Sequence, residues 1–208
     1  MALDEIRVSC AILCRFWVKD KLLLLLNRNR RAQGIYELSP LGGAIEAESQ
    51  SNVFVRMKLN PENGNSNDLR FFIRRSQLED FAKWFYQRKE REITPFRELK
   101  EELVEEARLL PNLQMSDLTW QFLYSYEAEQ VTQREGVEGV WTHYFLEVFE
   151  VFIQNSWLEE ILLKVDSASG ALLVDERTAR NHTNIQMYVD GMMRTVRLNT
   201  QSLFQDRD

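Results

Sequence analysis

The segment 97–110 constrains the fold most, because at helical spacing it separates an apolar stripe from an acidic face. At about 100° per residue, the stripe lies along one side of a helix and requires a core to pack against. The stripe is Leu99, Leu103, Ala107 and Leu110, and the acidic face is Glu98, Glu101, Glu102 and Glu105. Like charges at these spacings repel by roughly a few tenths of a kcal/mol per pair. The face is therefore either solvated or occupied by a cation.

Size and charge narrow the class of protein. The chain has 208 residues, 44% of them hydrophobic and 28% charged, which is enough for one sizeable domain with a core. The net charge of −6 argues against a protein that coats nucleic acid, so we expect no nucleic-acid polymer as a direct partner. Small anionic ligands remain open, because a bound metal or a local arginine cluster reverses the field within a site.

The cysteines and the N-terminus bear on the cellular compartment. Cys10 and Cys14 lie in an apolar stretch, at a spacing that puts them on one face of a strand but too far apart to pair. They are typical of buried thiols in a reducing compartment. No signal peptide is evident, and the apolar run 22–26 is too short to cross a bilayer. We expect a soluble, cytoplasmic protein without membrane association.

The rest of the pattern predicts a mixed sheet flanked by helices in a single domain, residues 1–208. Strands are expected at 6–18, 22–27, 35–38, 53–59, 69–73, 118–129, 140–153 and 171–174. One helix is expected from Ser76 to about residue 89, with a capping box between Ser76 and Glu79. A second is expected over the acidic segment, from a Thr94 cap to about Pro111. Further helices are expected at 157–165, from about Asp175, and at 185–196. Residues 27–34 are expected to form a basic loop.

Glycine and arginine supply further candidates for a binding site. The pair Gly42-Gly43 permits a positive φ or the close approach of another backbone. Two arginine clusters have the chemistry to bind phosphate, although exposed basic loops are commonly just solvated. They are Arg28, Arg30 and Arg31 in the basic loop, and Arg70, Arg74 and Arg75 further along the chain. Tyr36 or Tyr144 is a candidate for stacking on a nucleobase.

The two histidines are weaker candidates. His143 lies within a β-prone run and is expected to be a packed residue rather than a base. His182 lies in a polar segment from which it could approach the site. Two histidines also make a zinc hydrolase an unfavourable interpretation.

The pair Gly42-Gly43, the nearby Glu46 and Glu48, and the Arg-Glu-Leu-Lys-Glu-Glu run 97–102 together resemble the Nudix hydrolase superfamily. The resemblance implies an α/β/α sandwich with a mixed sheet, and a Mg²⁺ or Mn²⁺ ion bound by Glu98, Glu101 and Glu102. It implies catalytic roles for Glu101, Glu102 and Arg97, with Arg97 orienting a glutamate. Hard oxygen ligands suit such an ion, which bridges phosphate oxygens and activates water. Substrate-binding candidates are Gly42, Gly43, Arg28, Arg30 and Arg70.

The chain departs from the ordinary Nudix pattern in three ways. Val104 stands where the family has a glycine, so we expect the helix to continue there. Glu48 follows Gly42 at the family's spacing, but alignment on the glycine pair brings Ser49 to that position. A long insertion, about residues 49–94, separates the glycine pair from the acidic helix.

This interrupted layout resembles the SMODS-associated Nudix domains of bacterial antiphage signalling systems. The segments that carry the resemblance are 41–43, 68–71, 84–85, 91–92 and 95–103. It implies a nucleotide or cyclic-oligonucleotide ligand and a functional link to a cyclic-nucleotide synthase.

Three functions remain open at this point. One is Mg²⁺-dependent hydrolysis of a nucleoside-diphosphate-linked or related nucleotide substrate, which the intact glutamates favour and which the resemblance places in antiphage defence. The alternative is a catalytically silent sensor that binds a nucleotide signal, favoured by Val104 and the insertion because catalysis needs tightly held ligands. The third is an interaction module whose acidic helix is only a surface. A homodimer is left open as well.

Overall fold

The computed structural model describes residues 4–64, 67–134 and 136–205. The strands are β1 (Glu5–Val18), β2 (Lys21–Leu26), β3 (Glu37–Pro40), β4 (Asn60–Pro61), β5 (Arg70–Arg74), β6 (Leu118–Val131), β7 (Trp141–Ile153), β8 (Ala171–Asp175), β9 (Asn184–Val189) and β10 (Met192–Leu198). The α-helices are α1 (Arg28–Ala32), α2 (Val53–Arg56), α3 (Leu78–Tyr86), α4 (Phe96–Lys100), α5 (Ser156–Leu162) and α6 (Glu176–Asn181). The mixed α/β class is confirmed.

The residues form two compact units, which we describe separately. The first comprises the described residues of Met1–Ile12, Gly43–Thr94 and Ser125–Glu147. The second comprises those of Leu13–Gly42, Pro95–Tyr124 and Val148–Asp208. The whole insertion predicted at 49–94 therefore belongs to the first unit, and the acidic segment belongs to the second.

The first unit is built around an aromatic cluster under α3. β5 pairs antiparallel with the first half of β1, with Val8 opposite Phe71. The ring of Phe81 on α3 lies 4.8 Å from that of Phe71 and 5.3 Å from that of Phe145 on β7. Phe81, Phe71 and Phe145 are all completely buried, so α3 packs its apolar face onto strands from distant parts of the sequence.

A buried ion pair lies in the same unit. The Arg91 Nη2 donates to Glu147 Oε1 at 2.7 Å, and both side chains are essentially inaccessible to solvent. Arg91 also donates from Nε and Nη2 to the Phe85 carbonyl and from Nη1 to the Glu92 carbonyl. Its guanidinium therefore joins the end of α3 to β7 by hydrogen bonds that a buried charge requires.

The second unit contains a sheet centred on the leucine-rich β2. β8 pairs antiparallel along β2, and β3 also pairs antiparallel with β2, with Leu25 opposite Ser39. β10 then pairs parallel with β3, and β9 antiparallel with β10. Because parallel and antiparallel pairs occur together, the predicted mixed sheet is confirmed. Leu22, Leu23 and Leu24 are completely buried, as expected of a central strand.

The acidic segment is helical but not uniformly α-helical. α4 runs directly into a π-helical turn, Glu101–Glu106, and we call α4 with this turn the acidic helix. The Ala107 N–H donates to the carbonyl of Glu102, five residues earlier, at 2.8 Å. The helix thus continues through Val104, as predicted. It ends at Glu106 rather than near Pro111, and Arg108 takes a left-handed φ of 53° just beyond.

Two predicted helix caps are wrong. Thr94 does not cap the acidic helix: Pro95 occupies the N-cap position, and no side chain bonds the first turn. The capping box from Ser76 to Glu79 does not form, because a 3₁₀ turn, Arg75–Gln77, precedes α3 and Gln77 takes the cap position. Helix α3 also stops at Tyr86, short of the predicted residue 89.

Three element assignments are also corrected. The strand predicted at 53–59 is the short helix α2, which buries Val53 and leaves Val55 82% exposed. The helix predicted at 185–196 is the hairpin of β9 and β10, whose turn residues Asp190 and Gly191 both have positive φ. The basic loop contains α1, whose first turn is capped by the Asn27 side chain. The other predicted strands and helices are present with shifted ends.

Candidate functional site

The acidic segment buries most of the stripe that the sequence predicted. Leu99 and Leu103 are completely buried and Leu110 is nearly so, whereas Ala107 is only partly buried. On the other side the carboxylates differ, because Glu98 is only 8% exposed whereas Glu105 lies in solvent. Glu98 and Glu101 pair with Arg97, and Glu102 accepts a hydrogen bond from the Gly42 N–H. Glu98, Glu101 and Glu102 are therefore the candidate group.

Arg97 organises two of these carboxylates. Its Nη2 lies 2.8 Å from Glu98 Oε1, and its Nη1 donates to both carboxylate oxygens of Glu101, at 3.1 and 3.2 Å. Charge-assisted bonds of this kind fix the orientation of a carboxylate. The Nudix resemblance implies an orienting role for Arg97, and contacts of this kind are what such a role would require.

Glu102 is held by the backbone of Gly42 instead. The Gly42 N–H donates to Glu102 Oε2 at 2.7 Å, across 60 positions of sequence. Leu41 is anchored just before it, because its carbonyl accepts the Cys14 N–H of β1 at 2.8 Å. Gly42 itself has a φ of 139°, a conformation that a side chain would strain. The backbone N–H of Gly42 therefore points at the acidic helix.

Burial sets the protonation state of Glu102. Loss of solvent raises the pKa of its carboxyl from 4.5 to about 8, and the nearby charges of Glu98, Glu106 and Glu101 add to the effect. The hydrogen bond from Gly42 opposes this shift only in part. At neutral pH Glu102 therefore retains a proton for most of the time, unless a cation compensates its charge.

Both cysteines are buried, as predicted. Burial raises the pKa of the Cys14 thiol well above its usual value, and the carboxylates of Glu102 and Glu98 raise it further. Burial likewise raises the pKa of Cys10. Neither thiol is poised to act as a nucleophile, since the thiolate is the reactive form.

The donor set fits a hard divalent cation. Glu98, Glu101 and Glu102 offer only carboxylate oxygens, the ligand type that Mg²⁺ and Mn²⁺ prefer. Burial and, to a smaller extent, the neighbouring carboxylates disfavour the ionised form of Glu102, and a bound cation would offset this cost. Among the described residues, no group of three or more acidic, histidine or cysteine side chains is already gathered closely enough to hold a metal. Arg97 instead pairs with two of the three glutamates, and its single positive charge offsets part of their negative charge.

The predicted substrate-binding residues divide between the units. Gly42, Arg28 and Arg30 lie in the second unit with the acidic helix, and Arg28 on α1 reaches Glu106 at 3.8 Å. Gly43 and Arg70 lie in the first unit. There the Gly43 carbonyl accepts the Ile12 N–H, and Arg70 pairs with Asp68 at 3.0 Å.

The remaining candidates also lie apart. Glu46 and Glu48 are in the first unit, where the Glu46 carbonyl accepts the Glu92 N–H and the Glu48 N–H donates to the Glu90 carbonyl. His143 is buried in that unit, with Nε2 2.7 Å from Glu127 and Nδ1 2.9 Å from Glu129. The prediction that His143 is a packed residue is confirmed. His182, in the second unit, is exposed at the end of α6.

Sequence reasoning missed the contribution of β10. Arg194 lies on this strand, with its guanidinium carbon 4.4 Å from the centre of the Tyr36 ring. The residue was hidden because 185–196 was interpreted as a helix. The Asp-Gly dipeptide at 190–191, flanked by β-prone residues, was the available signal for a hairpin.

The comparison with protein families now decides the identity. The model of the SMODS-associated NUDIX domain matches residues 5–187, which is most of the chain. The chain belongs to this family. A SMODS-associated NUDIX domain has a nucleotide-related function, and Nudix domains generally use divalent metals. No curated protein and no solved structure matches the chain significantly.

Family membership agrees with the resemblance seen in the sequence, including the interrupted layout. It also supports a nucleotide ligand and a link to a SMODS synthase. Within the described residues, the structure contains no helix with the length and apolar character needed to span a membrane.

Proposed function

We propose that this SMODS-associated NUDIX domain is a metal-dependent hydrolase of nucleoside-diphosphate-linked or related nucleotides in bacterial antiphage defence. The observation that supports it most is the 2.7 Å bond from the Gly42 N–H to Glu102. It joins the two halves of the Nudix-like motif despite the insertion between them. A synthase of cyclic nucleotides would then be its functional partner.

Glu98, Glu101 and Glu102 are the residues that would hold Mg²⁺ or Mn²⁺. The ion, when bound, supplies charge compensation for phosphate oxygens and a more acidic water. Arg97 keeps Glu98 and Glu101 in fixed orientations, and the Gly42 N–H does the same for Glu102. Without metal, burial raises the pKa of Glu102 to about 8, and a bound cation would favour the ionised form, which is the form that serves as a ligand.

A second function has its own support. Arg97 pairs with both Glu98 and Glu101, so both carboxylates have a positively charged partner without a metal ion. An acidic helix in that state would serve a catalytically silent sensor, which binds a nucleotide signal without turning it over. The two functions differ in whether metal and Glu102 are needed.

The test is an assay of turnover and binding with Mg²⁺ and a panel of linear dinucleotides, nucleotide sugars and cyclic oligonucleotides. We expect Mg²⁺-dependent products, with turnover lowered at least about 100-fold in Glu102→Gln. Glu105→Gln is the matched control, because this exposed residue lies one turn away and should retain activity. Tight metal-independent binding without any product would instead establish the sensor.

A further inference from the structure

Residues 28–35 contain α1, connect β2 to β3 and form what we call the arginine cap. None of the residues of the cap is buried. Its backbone hydrogen bonds join residues of the cap to one another or to Asn27, whose side chain caps α1. The cap therefore contributes no side chain to the core of the second unit, and its arginines are accessible to solvent.

Arg28 is the arginine through which the cap contacts the acidic helix. Its Nη1 lies 3.8 Å from Glu106 Oε2, and the two side chains are 56% and 58% exposed. An ion pair this long and this exposed is weak, because water screens both charges. Arg31 on the same helix has a different partner, Asp190 in the turn between β9 and β10. Arg28 can therefore exchange Glu106 for another anion at little cost to the fold.

Glu106 connects Arg28 to the candidate group of carboxylates. Glu106 and Glu102 lie four residues apart within the π turn of the acidic helix, which is close to one full turn. The charge of Glu106 is one of those that raise the pKa of Glu102, so the two carboxyl groups are within electrostatic range of each other. The contact with Glu106 therefore places the guanidinium of Arg28 about one helical turn from a predicted ligand of the divalent ion.

We propose that Arg28 is a phosphate-binding residue, which leaves Glu106 to bind a diphosphate group held at the acidic helix. A diphosphate offers several anionic oxygens, and a guanidinium donates to two of them at once, which is stronger than the single 3.8 Å contact with Glu106. Glu106 keeps the cation beside the site until the ligand binds. The inference rests on the proposed function, because it takes the acidic helix as the place where the diphosphate is held.

The test is binding of inorganic pyrophosphate to the full chain in the presence of Mg²⁺, measured by calorimetry. Pyrophosphate carries the diphosphate group alone, so its affinity does not depend on contacts with a base or a sugar. We expect Arg28→Ala to weaken binding at least about tenfold, the loss expected for charge-assisted hydrogen bonds. Arg177→Ala is the matched control, because it removes the same charge from an exposed position on α6 of the same unit and should bind as the wild type does.

Glu106→Gln separates an exchange of partners from simple repulsion between Glu106 and the diphosphate. Without the Glu106 carboxylate, Arg28 is available to the diphosphate from the start. We therefore expect the gain in affinity from Glu106→Gln to be at least about threefold larger with Arg28 present than in the Arg28→Ala background. An equal gain in both backgrounds would show that Glu106 acts through its charge alone and would overturn the exchange.

Urea unfolding distinguishes binding from a structural role, since Arg28→Ala should be as stable as the wild type. Wild-type affinity in Arg28→Ala, an equal loss in Arg177→Ala, a loss that accompanies destabilisation, or no binding of pyrophosphate by the wild type would each overturn the proposal. Arg28-dependent binding without turnover of any nucleotide would support the role of Arg28 and reject the hydrolase. Turnover that is unchanged in Arg28→Ala would support the hydrolase and reject the role of Arg28.

Discussion

At the scale of single residues, Glu102 concentrates the electrostatics of the candidate site. Its carboxyl is partly withdrawn from solvent and lies near three other acidic side chains, with one backbone donor from Gly42 as its bond partner. The electrostatic cost of ionising Glu102 is therefore raised in the folded state. A bound cation or a proton removes this electrostatic cost. Metal binding, pH and folding stability are therefore coupled through Glu102.

Glu102→Gln should change how stability depends on pH. The folded protein keeps a proton between pH 4.5 and about 8 that the unfolded chain releases, so the free energy of unfolding should fall as pH rises through this window. In the metal-free wild type we expect a fall of about 2 kcal/mol, reduced from the full shift because Glu102 is partly exposed. Urea unfolding at several pH values measures it. The variant should show a flatter profile, and an unchanged profile would contradict the assigned shift.

Gly42→Ala tests the donor to Glu102. A side chain at a φ of 139° is strained by about 1–3 kcal/mol, so the backbone should move and carry its N–H away from the carboxylate. We expect lower stability by urea unfolding together with loss of turnover or ligand binding. Gly64→Ala is the control, because Gly64 has open space around it and no positive φ. Equal effects of the two substitutions would contradict the role of Gly42.

At the scale of elements, the ion pair of Arg91 and Glu147 connects the end of the insertion to β7 within the first unit. Both side chains are buried, and Arg91 also lies 4.0 Å from the Phe85 ring. Removal of one partner of such a pair leaves an uncompensated charge in a medium of low dielectric constant. The pair thereby holds α3 and β7 in one arrangement.

Glu147→Ala should destabilise the protein by about 3 kcal/mol, because Arg91 would remain buried without its carboxylate. Arg91→Met combined with Glu147→Leu should cost less than the sum of the two single changes. Urea unfolding of the wild type, Arg91→Met, Glu147→Leu and the double variant measures this coupling. Glu79→Ala serves as the control, because it removes only a solvent-exposed pair with Lys83 and should leave the free energy of unfolding nearly unchanged. Additive single effects would show that the buried pair is not coupled.

At the scale of the whole molecule, the insertion is part of a core. Its Phe71 and Phe81 meet Phe145, which lies outside the insertion on β7. Its strand β5 pairs with the first half of β1. The first unit therefore depends on residues from the insertion as well as from both flanking parts of the chain.

Removal of residues 49–94 behind a short Gly-Ser linker should abolish folding, since β1 and β7 would lose their buried partners. Phe81→Ala in the full chain should destabilise it by about 3–5 kcal/mol. Circular dichroism and urea unfolding check both. Tyr86→Ala on the same helix is a milder comparison, because its side chain is 43% exposed. A deletion variant that unfolds cooperatively would show that the insertion is a separate appendage.

Local periodicity was sufficient for several of these features. The stripe of Leu99, Leu103 and Leu110, the long strand β1 and the Asp175 cap of α6 all depend on neighbours close in sequence. The Arg97 contact with Glu101 likewise follows from a spacing of four residues on a helix. The carboxylates that define the candidate chemistry were therefore recognisable before any fold was known.

Local periodicity predicted the wrong secondary structure where contacts with distant segments determine it. The segment 53–59 is β-prone yet forms α2, because burying Val53 and exposing Val55 suits its place in the first unit. The apolar residues at 185–196 fit a helix, but pairing with β3 and closure at Asp190 and Gly191 produce a hairpin. The free-energy difference between helix and strand that local propensity supplies is smaller than the difference that tertiary packing supplies.

By itself, the sequence predicted that an amphipathic helix carries the candidate carboxylates on one face, and it identified glycine and arginine residues that are candidates for binding phosphate. Only the tertiary structure decided that the Gly42 N–H meets Glu102, that Glu105 lies in solvent, and that residues 185–196 form a hairpin rather than a helix. The reason is physical. Periodicity acts over one or two turns, whereas desolvation, charge coupling and backbone contacts depend on which distant segments fold together.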